Sequence, residues 1–379
     1  MHLTRLALTD FRCYAAADVV LAPGVTTFTG ANGQGKTNLV EAAAYVATFA
    51  SHRVAADAPL IRLGAQRAIL RAGVAAAARD NLIEIEVNPG KANRVRLNKV
   101  PVPRPRDVLG TLRCVLFAPE DLTMVKGDPD QRRRYLDDLL VATRPRYAAV
   151  RSDYERVVRQ RTALLKSARA RGGAVPSALE VWDEQLVRAG AELTAGRLAL
   201  VSALRPLVVA AYGQVSGEAE EIQANYKLAF KAAGHSGEQD GAAAVADPAG
   251  LAAEMHAALT RVRGSELDRG VCLVGPHRDE LELRIGELPA RGYASHGESW
   301  SLALALRLAG FELLRSGGED PVLLLDDVFA ELDEGRRDRL AQLVGQAEQV
   351  LITAAVPADV PARLDGARFT VGGGEVSRA

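Results

Sequence analysis

Apolar and polar positions follow two different periods along this chain, and the change of period predicts its organisation. Up to about residue 125, short runs dominate. Val25 to Thr29 is an apolar stretch of strand length leading into glycines, and Leu39, Val40 and Ala43 then recur at helical spacing within Thr37 to Thr48. Ala68 to Val74, Leu82 to Val87 and Arg94 to Leu97 alternate between bounding Gly, Pro or Asn residues, which predicts antiparallel strands. Arg113 to Phe117 predicts one more short strand, closed by Pro119.

The period turns helical at Gly127-Asp128-Pro129, where an Asp cap and a Pro at the first helical position announce a helix. Tyr147, Val150, Tyr154, Val157, Leu164 and Leu165 form one apolar stripe, interrupted by Arg161. Leu179, Leu186, Leu193, Leu200 and Leu207 then recur in steps of seven, with Trp182 and Ala189 between them. A turn signal over 171–177 joins the two stripes into an antiparallel helix hairpin, about 40 Å long at 1.5 Å per residue. Gly234 to Gly250 is rich in small and polar residues and predicts a mobile loop. A helix from Pro248 to Arg263 and strands at Val271 to Val274 and Glu280 to Ile285 follow, after which α/β alternation resumes. The expected fold class is therefore α/β: a head built from both chain ends (1–125 and 270–379) around an inserted helical arm (126–269).

Composition changes this picture little. The 379 residues allow two or three domains, and 47 basic against 47 acidic side chains give no global field, so any polyanion site must be a local patch. Residues 126–171 form one candidate, with 13 Lys/Arg against 6 Asp/Glu along the arm. Cys13, Cys114 and Cys272 lack metal-ligand spacing and are an awkward number for a disulfide framework, so a reduced, cytoplasmic protein is expected. No signal-peptide pattern opens the chain. The best apolar run, Ser301 to Leu314, is broken by Arg307 and Glu312, so no membrane span is expected.

The candidate chemistry is concentrated at the two ends. Gly30-Ala31-Asn32-Gly33-Gln34-Gly35-Lys36-Thr37 fits GxxxxGK[ST], a loop whose backbone N–H groups and following helix N-terminus cradle phosphates. Lys36 is expected to bridge the β- and γ-phosphates of ATP, and Thr37 to hold Mg²⁺. Val322-Leu323-Leu324-Leu325-Asp326-Asp327 is an apolar strand ending in two carboxylates; Asp326 is expected at the magnesium and Asp327 beside the attacking water. About 290 residues (326 minus 36) separate Lys36 from Asp326, so the chain must leave the nucleotide-binding core and return to a neighbouring strand. Ser295-His296-Gly297-Glu298 opens another helix and predicts a second anion site. One nucleotide cannot need two such helix ends from one subunit, which predicts an ATP-dependent homodimer with Ser295 and Gly297 of one copy capping the γ-phosphate held by the other.

These motifs, read together, resemble the RecF family, bacterial recombination mediator ATPases of the ABC and SMC-like class. The matching residues are Leu8 to Tyr14; Gly30 to Asn38 with Glu41-Ala42; Phe117 to Leu122; Gly127-Asp128-Pro129 with Arg132-Arg133-Arg134; Val274 to Asp279; Ser295 with Gly297; and Leu325 to Asp333. They spread from end to end. The resemblance implies an ABC/SMC-like ATPase head that dimerises on ATP, binds duplex or gapped DNA, and works with RecO and RecR to load RecA on single strands, with weak hydrolysis serving release. It also implies that Glu331-Leu332-Asp333 lies at the dimer interface and that Asn38 borders the nucleotide. Two positions depart from the family pattern. The signature reads Ser-His-Gly-Glu-Ser-Trp where Gln- and Arg-containing versions are common, and Thr353 stands near the place of a switch histidine, as a candidate γ-phosphate sensor.

Three further readings stay open on sequence. Ser51-His52-Arg53 follows the first helix and is either a nucleotide contact or a simple loop. His277 and Arg278 report on nucleotide or DNA, or serve as hydrogen-bonding residues of the fold. A transporter-type energy-coupling ATPase shares the three motifs, although it wants a much shorter insertion, and a non-hydrolysing scaffold is the other alternative.

Overall fold

The computed structural model describes residues 1–76, 79–171, 177–218, 220–230 and 247–379. The chain divides into two compact units: Met1–Leu122 with Ala210–Ala219 and His296–Ala379, and Thr123–Val209 with Glu220–Ser295. Both chain ends do enter the first unit. The boundaries differ from the expected arm at 126–269, because 270–295 belongs to the second unit and 210–219 to the first.

The first unit contains β1 (His2–Phe11), β2 (Tyr14–Val20), β3 (Gly24–Thr29), α1 (Lys36–Thr48), β4 (Ala68–Ala76), β5 (Arg79–Val87), β6 (Arg94–Leu97), β7 (Val100–Val102) and β8 (Cys114–Phe117). An antiparallel sheet is ordered β2-β1-β4-β5-β6-β7. Its inward positions alternate as a one-sided sheet demands: Leu70, Ala72, Ile83 and Ile85 are all fully buried, while Glu84 and Glu86 face the other way. This apolar face shares one core with Val40 and Tyr45 of α1.

After the second unit the chain re-enters through α8 (His296–Arg315), following α2 to α7 defined below, and adds β12 (Val322–Asp326), α9 (Glu334–Val344), β13 (Gln349–Ala354), β14 (Ala367–Gly372) and β15 (Glu375–Arg378). These strands join β3 and β8 in the order β15-β14-β3-β13-β12-β8, parallel except for β15. Val322 to Leu325 and Val350 to Ile352 are buried nearly completely, the signature of strands covered on both faces. The sequence reading puts the strand of the glycine loop and the acidic strand side by side, and the structure corrects this: they are not neighbours. β13 lies between them, with Thr353 in register with Phe28 on one side and Asp326 on the other.

The second unit comprises α3 (Pro129–Thr143), α4 (Tyr147–Ala170), most of α5 (Leu179–Ser216), α6 (Pro248–Arg269), and a small antiparallel sheet of β9 (Ile222–Lys227), β10 (Glu280–Ile285) and β11 (Leu288–Pro289); the short α2 (Leu122–Lys126) leads in and α7 (Ala290–Tyr293) leads out. The expected hairpin of two helices is completed by a third. Arg161, read as an interruption of the α4 stripe, is fully buried and donates to Asp183 of α5 at 2.6 Å and to both oxygens of Glu266 of α6 at 3.0 and 2.6 Å. A buried guanidinium is tolerated only with such bidentate partners. The turn at 171–177 and the loop at 234–250 fall largely outside the described residues.

The heptad reading of α5 holds at Leu179, Leu186, Leu193 and Leu200, then drifts to Val201, Leu204 and Val208 as the buried positions. A straight 3.6-residue helix slips about 20° per heptad, which accounts for the change of face. By length and composition α5 passes as a membrane span, with mean hydropathy 1.5 over 18 residues, contrary to the expectation that Ser301 to Leu314 was the best candidate. Within the second unit its apolar face is packed instead, and Arg197 is anchored to both oxygens of Asp137 at 2.7 and 2.8 Å.

One predicted strand is absent. Val271 to Val274 is irregular because side chains take the backbone groups that a ladder would use. Leu273 N–H donates to Glu266 at 2.7 Å, while Cys272 C=O accepts from His277 at 3.2 Å and from Arg278 at 2.9 and 3.1 Å. His277 and Arg278 therefore hold this turn. The carbonyl can only accept, so His277 Nε2 carries the proton and Nδ1 accepts from Tyr154 at 2.5 Å.

Candidate nucleotide-binding site

The glycine loop leaves β3 at Thr29 and enters α1 at Lys36. Gly35 has φ 110°, and a Cβ there would lie 2.5 Å from Cys13 Sγ and 2.9 Å from Tyr14 Oη, so only glycine lets the β1–β2 turn approach this closely. Tyr14 Oη donates to Gly35 C=O at 3.0 Å, and Asn38 Nδ2 donates to Cys13 Sγ at 3.1 Å. Ala31, Asn32 and Gly33 remain exposed, and Gln34 accepts from Gly373 N–H at 2.9 Å. Lys36 is buried, and its ammonium donates to Gly30 and Ala31 C=O at 2.8 and 3.2 Å, inside the loop it is expected to serve.

The acidic strand meets this loop through hydroxyls. Thr37 Oγ1 donates to Asp326 Oδ1 at 2.9 Å, and Thr353 Oγ1 donates to the same oxygen at 2.7 Å. Thr353 also accepts from Asp327 N–H at 2.9 Å. That bond holds Asp327 at φ 50°, a left-handed conformation that Asp adopts more readily than most residues. Burial pushes the Asp326 carboxyl up to about 6, aided by Asp327 and Glu120 and opposed by the hydrogen bonds from Thr353 and Thr37.

Around α1, Glu41 is fully buried and accepts from Arg12 at 2.8 and 2.5 Å and from Ser51 at 2.5 Å. This carboxylate ties the β1–β2 turn to the loop after α1. The sequence signal for it was only the Glu41-Ala42 pair noted with the glycine loop.

Ser295 precedes α8 and is exposed, while Gly297 lies in its first turn. Arg336 of α9 covers Gly297: a Cβ there would lie 3.0 Å from its guanidinium nitrogens. Arg336 also donates to Ser301 at 3.0 Å and to Asp333 at 2.5 Å, and Asp333 caps α9 by accepting from Arg336 N–H at 2.9 Å. The signature helix and the Glu331-Leu332-Asp333 loop are thus joined by an arginine that no motif had singled out. Thr37, Asp326, Asp327 and Thr353 come together within one hydrogen-bonded group. Ser295 belongs to the other unit by contact division.

A family model described as the RecF/RecN/SMC N terminal domain matches residues 2–360. The chain belongs to the RecF family. Curated DNA replication and repair proteins RecF from Streptomyces avermitilis and Frankia alni are 57% and 58% identical over 383 and 388 residues, covering all of both chains. A solved structure of the recombination mediator protein RecF-ATPrS in the RecFOR pathway matches 100% of this chain and 98% of its own, with TM-score 0.88 at 27% identity. An Smc head bound to the C-winged helix domain of ScpA matches with TM-score 0.56 at 15% identity, covering 100% and 97%, which shows a shared fold. The RecF family is one of DNA replication and repair, with an ABC/SMC-like α/β head.

Proposed function

We propose that this RecF-family chain is an ATP-gated DNA-binding ATPase of recombinational repair and replication restart. The observation that carries this reading is the hydroxyl bridge from Thr37 of the glycine loop to Asp326, 289 residues away, at 2.9 Å. In the active form Gly30 to Asn38 cradle the triphosphate of ATP, and Lys36 turns from its loop carbonyls to the β- and γ-phosphates. The donor set fits magnesium, which is commonly held by one or two carboxylates together with substrate phosphates. Thr37 and Asp326 would hold it, and the ion supplies charge neutralisation on the phosphates. Asp327 orients the attacking water, and Thr353 fixes the backbone that carries it.

Ser295 and Gly297 of one copy cover the γ-phosphate bound to the other, so ATP joins two copies into a clamp. Weak, DNA-stimulated hydrolysis releases it. RecO and RecR are the partners through which the clamp promotes RecA loading on single strands, consistent with the RecFOR setting of the related structures.

DNA contact is better supported on the antiparallel sheet than on the arm. Along the arm much of the positive surplus is internally paired, as in Arg132 with Glu280, Arg146 with Glu192 and Arg151 with Asp138. Residues 91–106 instead hold Lys91, Arg94, Arg96, Lys99, Arg104 and Arg106 and no acidic side chain. β7 is the edge strand of that sheet with β6 beside it, and the Arg94 side chain, 3.8 Å from Glu86 of β5, is 79% exposed. Such a ribbon suits a phosphate backbone.

The test is binding to duplex, single-stranded and gapped DNA with and without ATP across a salt series. Tighter binding to duplex or gapped DNA in ATP is expected; equal affinity in both nucleotide states contradicts the gated clamp.

A further inference from the structure

Ser51, His52 and Arg53 form a loop whose outer members are tied down. Ser51 Oγ donates to Glu41 at 2.5 Å and accepts from the N–H groups of Arg53 and Val54 at 3.0 and 3.1 Å. Arg53 Nη1 donates to Asn38 Oδ1 at 3.0 Å, next to Thr37. Fixed between these anchors, the His52 ring points at the acidic strand, with Nε2 3.9 Å from Asp326 Oδ2. Asp326 Oδ1 already accepts from both threonines, so the oxygen facing His52 is the other one.

Both ring nitrogens of His52 are buried, and neither has a hydrogen-bond partner among the described residues. No choice of tautomer satisfies them. An unsatisfied buried polar group costs about 1–3 kcal/mol, and such a group in a native fold calls for a functional explanation. A separation of 3.9 Å is too long for a direct hydrogen bond, yet a water to one side of the line between the two atoms can reach both. Magnesium characteristically keeps several of its waters when bound to protein carboxylates.

We propose that His52 is a positioning residue of the nucleotide site. Its Nε2–H donates to the hydration shell of the cation beside Asp326 Oδ2 and so sets the orientation of that carboxylate. The role rests on the ATP and magnesium reading above. The ring faces Asp326 Oδ2, so the role assigned to it runs through that carboxylate and the affinity for the ion.

The experiment is a titration of the full chain with a fluorescent ATP analogue at a series of MgCl₂ concentrations and in EDTA, for the parent, His52→Phe and His52→Gln. Outer-shell partners of metal ligands are worth about 10–100-fold in metal affinity. His52→Phe is expected to raise the magnesium midpoint about tenfold, leave the EDTA affinity unchanged, and melt no earlier than the parent, since it removes an unpaired polar ring. His52→Gln, which keeps a donor, should stay within about threefold of the parent midpoint. An unchanged midpoint in His52→Phe overturns the proposal. If that variant misfolds, a full tenfold shift in folded His52→Gln overturns it as well, because a retained donor should rescue. Failure of the parent to bind the analogue under any condition indicts the ATP reading rather than His52.

Discussion

Thr353 Oγ1 lies 2.7 Å from Asp326 Oδ1 and accepts the Asp327 N–H at 2.9 Å, so one hydroxyl joins the two carboxylate-bearing residues at the end of β12. It can do this because β13 runs between β3 and β12 and places Thr353 in register with Asp326. Thr353, expected from sequence as a γ-phosphate sensor, also supports the acidic pair.

Replacing Thr353 by Val keeps the shape and deletes both bonds. Leaving the Asp327 N–H without its partner should lower stability by about 1–3 kcal/mol and reduce ATP turnover more than ATP affinity, with Thr353→Ser close to the parent. Thermal unfolding and steady-state turnover of the three proteins check this. A Val variant with parental stability and turnover contradicts it.

His277 gives a pH prediction for the second unit. Burial pushes its imidazolium down from the ordinary 6.5 to about 4, with smaller contributions from Arg278, Arg133 and Arg161. The unfolded chain therefore takes the proton first, and stability is lost as pH falls through about 6.5 toward 4. Asp279 acts in the opposite sense: burial raises it from 3.8 to about 6, so its contribution is fully present below 3.8 and is lost as pH rises through 6. In the parent the two partly cancel between about 4 and 6. Urea unfolding of His277→Gln and the parent from pH 7.5 to 4.5 isolates the first effect. The stability difference should move in the variant's favour by a few kcal/mol on acidification, whereas a pH-independent difference counts against it.

The basic ribbon makes a separate prediction. Arg94→Glu with Arg96→Glu should weaken duplex binding uniformly across sequences and flatten the dependence of log affinity on log salt by about one per lost phosphate contact. Binding measured over 50 to 200 mM salt, as about a fourfold range, reports this directly. An unaltered slope would place the contact elsewhere.

Much of the first unit was legible because strong local signals agreed with one another. The apolar run of β3, the glycines and the α1 periodicity all point to one strand-loop-helix, and the apolar run to Asp326 can only be a covered strand. What sequence could not reveal was decided by long-range pairing. The placement of β13 between β3 and β12 follows from sheet order, which local periodicity does not encode. The burial of Arg161 depends on Asp183 and Glu266, carboxylates from two other helices. The Val271 to Val274 segment has strand-like composition, yet His277, Arg278 and Glu266 capture its backbone groups. No motif announces Arg336, because its contact with Gly297 comes from packing α9 on α8.

The central claim is that a bound triphosphate joins two copies of the chain, and light scattering on the Asp327→Asn variant with ATP tests it most directly. With hydrolysis blocked, ATP should give a persistent mass near twice the 40.3 kDa chain, and adding Ser295→Arg should return it to one chain while ATP is still bound. A variant that binds ATP yet stays at the single-chain mass contradicts the account.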